Sequence, residues 1–340
     1  MTKNVSAGDL IKKLFTEKII YVVLLALIIV IICIEPRFLS IINFSNILAQ
    51  SSTRIIIALG AGMVLMVRGC DLSTGRMIGL AAVISASLLQ NVDYAYRMYQ
   101  NLPSLPIIVP LLLVIALCAL LGTISGTCVA KLKVPPIIAT LAMQLVLYGA
   151  SSIYFDREPY GAQPIGGITE SLTKLCTRGI KIGSFRLPYL TIIAILVIVC
   201  MWSLWNKTKF GNYMYAVGGN PDAAQVSGVN VSRILIATYA LAAVMYAIAA
   251  VLEVGRIGSA SNTTGNSYEM DAIASCVVGG VSMSGGIGTV GGIVTGVLIF
   301  TVINYGLSFI GVNMYWQYIV KGLIILLAVV VDMRKFAKRK

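Results

Sequence analysis

Charged residues are scarce in this chain, and those that interrupt its long apolar runs set the chemistry it can do. Asp71 in RGCDLSTGR and the pair Glu269 and Asp271 in SYEMDAIAS each stand just before a run of small residues. A carboxylate in such a place needs a cation, a helix N-terminus or water. Asp71, followed by Leu72 and Ser73 with Arg68 and Arg76 close by, suits the cap of a helix start. Glu253 and Arg256 are three residues apart, the spacing of an ion pair on one helix. Lys321, inside the last apolar run, has either to snorkel to an interface or to meet a carboxylate. None of this amounts to the chain of intramembrane carboxylates that a proton-driven carrier displays. The chain has no histidine, which removes His-based triads, His metal sites and the commonest general base. It also has no Gly-Lys dipeptide and hence no phosphate loop of the G-x-x-x-x-G-K-[ST] kind, so any ATP-driven work belongs to another chain.

A polar island, GGNPDAAQVSGVN, separates two long apolar runs near residue 218. Asn220 suits an N-cap, Pro221 the first helical position, and Asp222 sets a negative charge at the positive end of the helix dipole. Ala223 and Ala224 propagate the helix, and Gly228 can end it in a left-handed conformation. A helix of about two turns is marginal in water because nucleation costs more than so few bonds return, so it needs something to pack on. Two readings follow, a docking helix for a soluble partner and a surface turn between spans.

The elements around these residues are membrane spans. Over 340 residues the chain is 58% hydrophobic and 11% charged, with a mean hydropathy of +0.90, outside the range of soluble domains. The fold class expected is an all-α polytopic membrane protein. Apolar stretches long enough to span, about 20 residues each, cover roughly 19–34, 107–130, 134–155, 188–205, 234–254, 293–311 and 315–331. Three less regular ones, 55–67, 77–92 and 272–284, are short or rich in Gly and Ser, which points to broken or re-entrant segments. Ten spans put both termini on one side. Of the Lys and Arg residues, sixteen then fall at that side, including Lys12, Lys13, Lys18 and the tail Arg334, Lys335, Lys338, Arg339 and Lys340, against nine opposite, with Arg54 counted among the nine. The positive-inside rule places both termini, and the polar island in the 206–233 loop, in the cytoplasm. The tail reads as a membrane-proximal anchor, and the net charge of +13 as topology signals rather than a nucleic-acid surface. The loop 156–187, with Gly161, Gly166 and Gly167, becomes the largest external feature. The run from 19 to 34 has no small-residue cleavage site after it and reads as an uncleaved first span. Seven cysteines without a C-x-x-C pair read as buried small hydrophobes, with no metal site and no disulfide framework.

Glycine concentrates in VVGGVSMSGGIGTVGGIVTG, residues 277–296. Gly288, Gly292 and Gly296 recur every four residues and so share one helical face, which permits close helix packing. The alternative is that Gly279, Gly280, Gly285 and Gly286 break a helix beside a substrate path, with Asp71 and Ser73 as further candidates for lining it.

Five segments together resemble the permease subunits of bacterial ABC sugar importers of the ribose/xylose/galactose group: NILAQSSTRIIIALG, GCDLSTGRMIGLAAV, WNKTKFGNYMYAVGGNPDAAQVSGVNV, LEVGRIGSASNTTGNSYEMDAIASCVVGGVSMSGGIGTV and TVINYGLSFIGVNMYWQYIVKG. The resemblance covers nearly the whole chain. It implies about ten helices with spans 2–5 and 7–10 as inverted repeats, an inner-membrane location and a homodimer. The partners it implies are ATP-binding cassette subunits, which hold the ATP and Mg, and an extracytoplasmic sugar-binding protein. The chain itself carries no cofactor on this reading. A coupling helix, the site at which the ATPase docks, falls on Asn220 to Gly228. Asp222-Ala223-Ala224 with Gly228 echoes the importer pattern E-A-A-x-x-x-G, with Asp in place of Glu. Galactose or a methyl-galactoside is the implied substrate, ribose or xylose the alternative. An ion-coupled secondary carrier is the competing class, and a membrane enzyme, without histidine, the third.

Overall fold

A computed structural model describes residues 19–157 and 163–337. Lys12, Lys13, Lys18, Gly161, Lys338, Arg339 and Lys340 lie outside the described residues. The chain is mostly helical: α1 (Ile19–Ile34), α2 (Ile41–Met66), α3 (Thr74–Leu88), α4 (Ile108–Ala130), α5 (Pro136–Phe155), α6 (Glu170–Thr177), α7 (Tyr189–Lys207), α8 (Lys209–Gly219), α9 (Pro221–Val226), α10 (Val231–Ile257), α11 (Tyr268–Val278), α12 (Val290–Phe309) and α13 (Met314–Ala337). Six of these, α2, α4, α5, α7, α10 and α12, are long and apolar enough to cross a membrane, which makes this a polytopic membrane protein. The helices α3 and α11 are much shorter, as their Gly and Ser content predicts.

Differences from the sequence reading are local. The all-α expectation meets a small antiparallel hairpin, β1 (Gly179–Ile182) with β2 (Phe185–Pro188), in the 156–187 loop, which also holds α6. The 206–233 loop is largely helical through α8 and α9. The segment expected at 55–67 starts at Ile41, because Ser40 caps the helix by accepting a hydrogen bond from the Asn43 amide. Arg54, counted with an outer loop, is therefore inside a span. Gly288 lies outside the glycine face: Thr289 caps α12 by accepting from the Gly292 amide, so the helix begins after it.

Two ends of the bundle can be told apart by what meets there. At one, the α9 end, Arg68, the α8–α9 junction and residues 285–288 come together. At the other, the hairpin end, Ser45 donates to the Arg186 carbonyl, Asn91 donates to Gly167, and Ile165 pairs with Ala260. The helix α2 is central, with 78% of its span buried inside the protein, whereas α5 at 17% turns most of its surface outward to lipid. The core groups α2, α3 and α10, with Tyr239 and Tyr246 of α10 fully buried in it, and Trp205 of α7 is buried against Tyr215 of α8. Over α10 sits α6, with Cys176 against Gly255. Burial pushes the Cys176 thiol up to about 12, which keeps it protonated and unreactive at neutral pH.

Between α11 and α12 the backbones touch. A Cβ on Gly292 would fall on the Gly279 carbonyl oxygen, and one on Gly296 on the Ser275 carbonyl. Replacing Gly292 with Leu is expected to destabilise this pair by about 1–3 kcal/mol through overpacking. The measurement is the thermal midpoint in detergent, and an unchanged midpoint contradicts the close approach.

Candidate functional site

A cavity of about 140 Å³ opens between α2, α11, α12 and α13, in the half of the bundle toward the hairpin end. Its polar lining comes from spaced side chains on each helix. Gln50 and Arg54 are four apart on α2, Asp271 and Ser275 four apart on α11, Gln317 and Lys321 four apart on α13. On α12, Thr301, Asn304 and Ser308 follow at spacings of three and four. Each set thus occupies one helical face. Phe300, Val297, Ile57 and Ala272 form the apolar wall, with the Tyr268 ring beside them.

The charges in this cavity are partnered with one another. Lys321 Nζ lies 3.1 Å from Asp271 Oδ1, and Arg54 Nη1 lies 3.8 Å from Asp271 Oδ2. The Arg54 guanidinium stacks on Tyr268, 3.5 Å from the ring centroid. The Tyr268 hydroxyl donates to Glu253 Oε1 at 2.9 Å, and Glu253 is fully buried. Its Oε2 accepts from Thr53 Oγ1 at 2.8 Å and Arg256 Nε at 3.0 Å, while Arg256 Nη2 donates to Oε1 at 2.8 Å. One network therefore runs from the cavity to the end of α10, and it accounts for the Glu253–Arg256 pair and for Lys321 meeting a carboxylate. What remains toward the cavity is mostly neutral: three amides, three hydroxyls and the buried Arg54 Nη1, which makes no hydrogen bond. Amides and hydroxyls both give and accept hydrogen bonds, which suits a polyhydroxylated, uncharged ligand.

The path candidates read from the sequence lie elsewhere. Asp71 is buried in the 67–73 connection, where its Oδ1 accepts from the Ser73 amide at 3.0 Å and the Ser73 hydroxyl at 2.6 Å. It folds the chain into α3 from two residues before the formal cap, Ser73, whose own side chain caps nothing. Arg76 turns away from Asp71 to Tyr148, Asn262 and Asn266. Gly279 and Gly292 pack helix on helix, Gly280 has φ +87°, and Gly285, Gly286 and Gly288 form the turn facing α8 and the end of α2. None of these eight residues lines the cavity.

Residues 220–228 form the short helix α9 at the opposite end. Asn220 caps it by accepting from the Ala223 amide at 3.0 Å, Pro221 takes the first position, and Gly228 follows with φ +83°. Asp222, Ala223, Gln225 and Val226 face outward, and Val226 is 90% exposed. Ala224 faces inward and is buried, so a substitution there acts on the packing of α9 and not on an outer face.

A family model described as branched-chain amino acid transport system / permease component matches residues 43–329. The galactose/methyl galactoside import permease protein of Haemophilus influenzae is 51% identical over 96% of this chain and 97% of its own length. That of Escherichia coli is 53% identical over 94% of this chain and 95% of its own. The ribose import permease protein of Escherichia coli is 37% identical over 92% of each. No solved structure matches the chain.

Proposed function

The chain belongs to the family of branched-chain amino acid transport system permease components, and on that premise we propose that it is the permease of an ATP-driven importer of galactose or methyl galactosides. The observation that carries the reading is the arrangement of the bundle. A cavity lined by mutually paired charges and neutral hydrogen-bonding groups lies toward one end, and a short, capped helix with an exposed outer face lies at the other. The chain is multi-pass and sits in the cytoplasmic membrane. On this reading the spans are ten, the six long helices with α1, α3, α11 and α13, and an even number of spans sets both termini on one side, read as that of the α9 end. Lys131, Lys133, Lys207, Lys209 and Arg233 flank the helix ends on that side too, which supports reading it as the cytoplasmic face. There α9 docks an ATP-binding subunit, which holds ATP and Mg, through Asp222, Ala223, Gln225 and Val226. The hairpin end, with α6 and β1–β2, receives a sugar-loaded binding protein, and two copies of the chain form the translocation unit with spans 2–5 and 7–10 as inverted repeats.

Each helix face contributes to selection by chemistry. The pairing of Asp271 with Lys321 and Arg54 leaves no surplus carboxylate to attract a cation, while Gln50, Asn304 and Gln317 can exchange water for sugar hydroxyls at small cost. The test is uptake into vesicles that hold the purified chain with its ATPase and binding protein. Labelled galactose is expected to accumulate only with ATP, and a methyl galactoside to compete better than ribose. Uptake by the chain alone along a proton or sodium gradient would sink the importer reading.

A further inference from the structure

Three backbone segments interlock at the α9 end. Arg68 closes α2 in the left-handed region, φ +63°, and this turns its side chain across to the α8–α9 junction. Its Nε donates to the Gly218 carbonyl at 2.7 Å and its Nη2 donates to the Gly219 carbonyl. Those are the last two residues of α8, directly before the Asn220 cap of α9. The amide of Gly286 donates to the Met66 carbonyl at 2.9 Å, and the Tyr215 hydroxyl of α8 donates to the Gly288 carbonyl at 2.8 Å. Only glycine fits where these strands of chain cross. A Cβ on Gly218 would land on the Met66 carbonyl oxygen, and one on Gly286 would come within 2.8 Å of Gly219.

The consequence is mechanical. Residues 285–288 run through the Thr289 cap into α12, and Arg68 follows directly on α2, so both segments held to the α8–α9 junction continue as helices that line the cavity. A displacement of α9 cannot be absorbed in a loose loop, since the junction is fixed by two bonds from one guanidinium and by backbone in direct contact. We propose that Arg68 is the positioning residue that couples movement of α9 to α2 and α12, and so links ATP hydrolysis to opening of the cavity. This rests on the importer reading above, because it needs a partner that moves α9. The fork of two donors is what an Arg supplies and a Lys does not.

The experiment uses the full transporter with its ATPase and binding protein in vesicles, comparing wild type, Arg68→Gln, Arg68→Lys and Tyr215→Phe. For Arg68→Gln, the ATPase is expected to co-purify at the wild-type level. Uptake should fall roughly tenfold, a loss within the usual range of coupling between sites. Stimulation of ATP hydrolysis by sugar-loaded binding protein should disappear while unstimulated hydrolysis stays. Arg68→Lys should recover part of the stimulation, and Tyr215→Phe should lose part of it. Stimulated hydrolysis and uptake at wild-type levels in Arg68→Gln would overturn the proposal. A loss of ATPase co-purification, or a fall in thermal midpoint matching the loss of uptake, would also overturn it by assigning Arg68 a purely structural role. Normal stimulation in Tyr215→Phe would be a further, independent result against the linkage. If wild type itself shows no ATP-dependent uptake, the importer reading fails first, and the two failures are told apart.

Discussion

Replacing Glu253 with leucine should cost the protein about 3–5 kcal/mol, the usual loss when one partner of a buried ion pair is removed. The carboxylate is fully buried and accepts four hydrogen bonds, from Thr53, Tyr268 and both Nε and Nη2 of Arg256. At the roughly 0.6 kcal/mol that a membrane hydrogen bond averages, these bonds alone are worth about 2 kcal/mol. The remaining loss, about 1–3 kcal/mol, comes from Arg256, left as a charge with no counter-ion, and from the Tyr268 hydroxyl, left without its acceptor beneath the stacked Arg54. Unfolding in detergent measures the cost. A double variant, Glu253→Gln with Arg256→Gln, should recover a large share of it, because no unpaired charge remains. A loss below about 1 kcal/mol in the single variant, the value of a solvated surface pair, would mean that water reaches the group and that the network does not hold the cavity wall.

A second large effect is expected on transport and not on stability. Thr301 stands on the cavity face of α12, one turn from Asn304, in the same lining as Gln50 and Arg54. Substitution by tryptophan fills a cavity of about 140 Å³ with an indole. Sugar uptake should fall by roughly a hundredfold, since the ligand's space and its hydrogen-bonding wall are both lost. Assembly with the ATPase should persist, because α9 lies at the far end of the bundle. Thr301→Val, which keeps the volume and removes one hydroxyl, should cost far less, about the worth of a single hydrogen bond, 0.5–1.5 kcal/mol. Uptake is read as the initial rate in vesicles, with co-purification of the ATPase as the control. Near-normal uptake by Thr301→Trp would place the path elsewhere, most directly between two copies of the chain.

The comparison of these two sites explains what the sequence could and could not disclose. The α9 helix was legible because its determinants are local: a cap, a proline, a negative charge and a terminal glycine all act within nine residues, and Asn220, Pro221 and Gly228 take the geometry expected of them. The outward face was not legible, since burial of Ala224 depends on α8 and its neighbours. The cavity was missed for the opposite reason. Its polar residues are spread over four helices, and hydropathy treats each as a blemish in a span; the polar stretch from Asn43 to Arg54 even hid the first half of α2. Ser51 and Ser52 there satisfy their hydroxyls on the Leu48 carbonyl, which is why the helix tolerates them. A signal did exist: polar residues recur at helical spacing on α12, Thr301, Asn304 and Ser308, and on α13, Gln317 and Lys321. Reading polar periodicity within apolar runs, instead of glycine density, would have found one wall of the site, though not the four-helix convergence. The glycines at 279, 285, 286, 288 and 292 carried a strong sequence signal, and backbone proximity accounts for it.

The charged trio of the cavity also constrains how the chain is made. Arg54, Asp271 and Lys321 each raise the cost of inserting their own helix, by up to about 3 kcal/mol for a charge at mid-membrane. Arg54 enters the bilayer early in synthesis, Asp271 much later on a helix of only 11 residues, and Lys321 last. Until α13 leaves the ribosome the earlier charges lack their full set of partners and must be held near water, the translocon or the lipid headgroups. The last helix to be made therefore completes the wall of the cavity, and a chain truncated before α13 leaves Asp271 without Lys321 in the membrane.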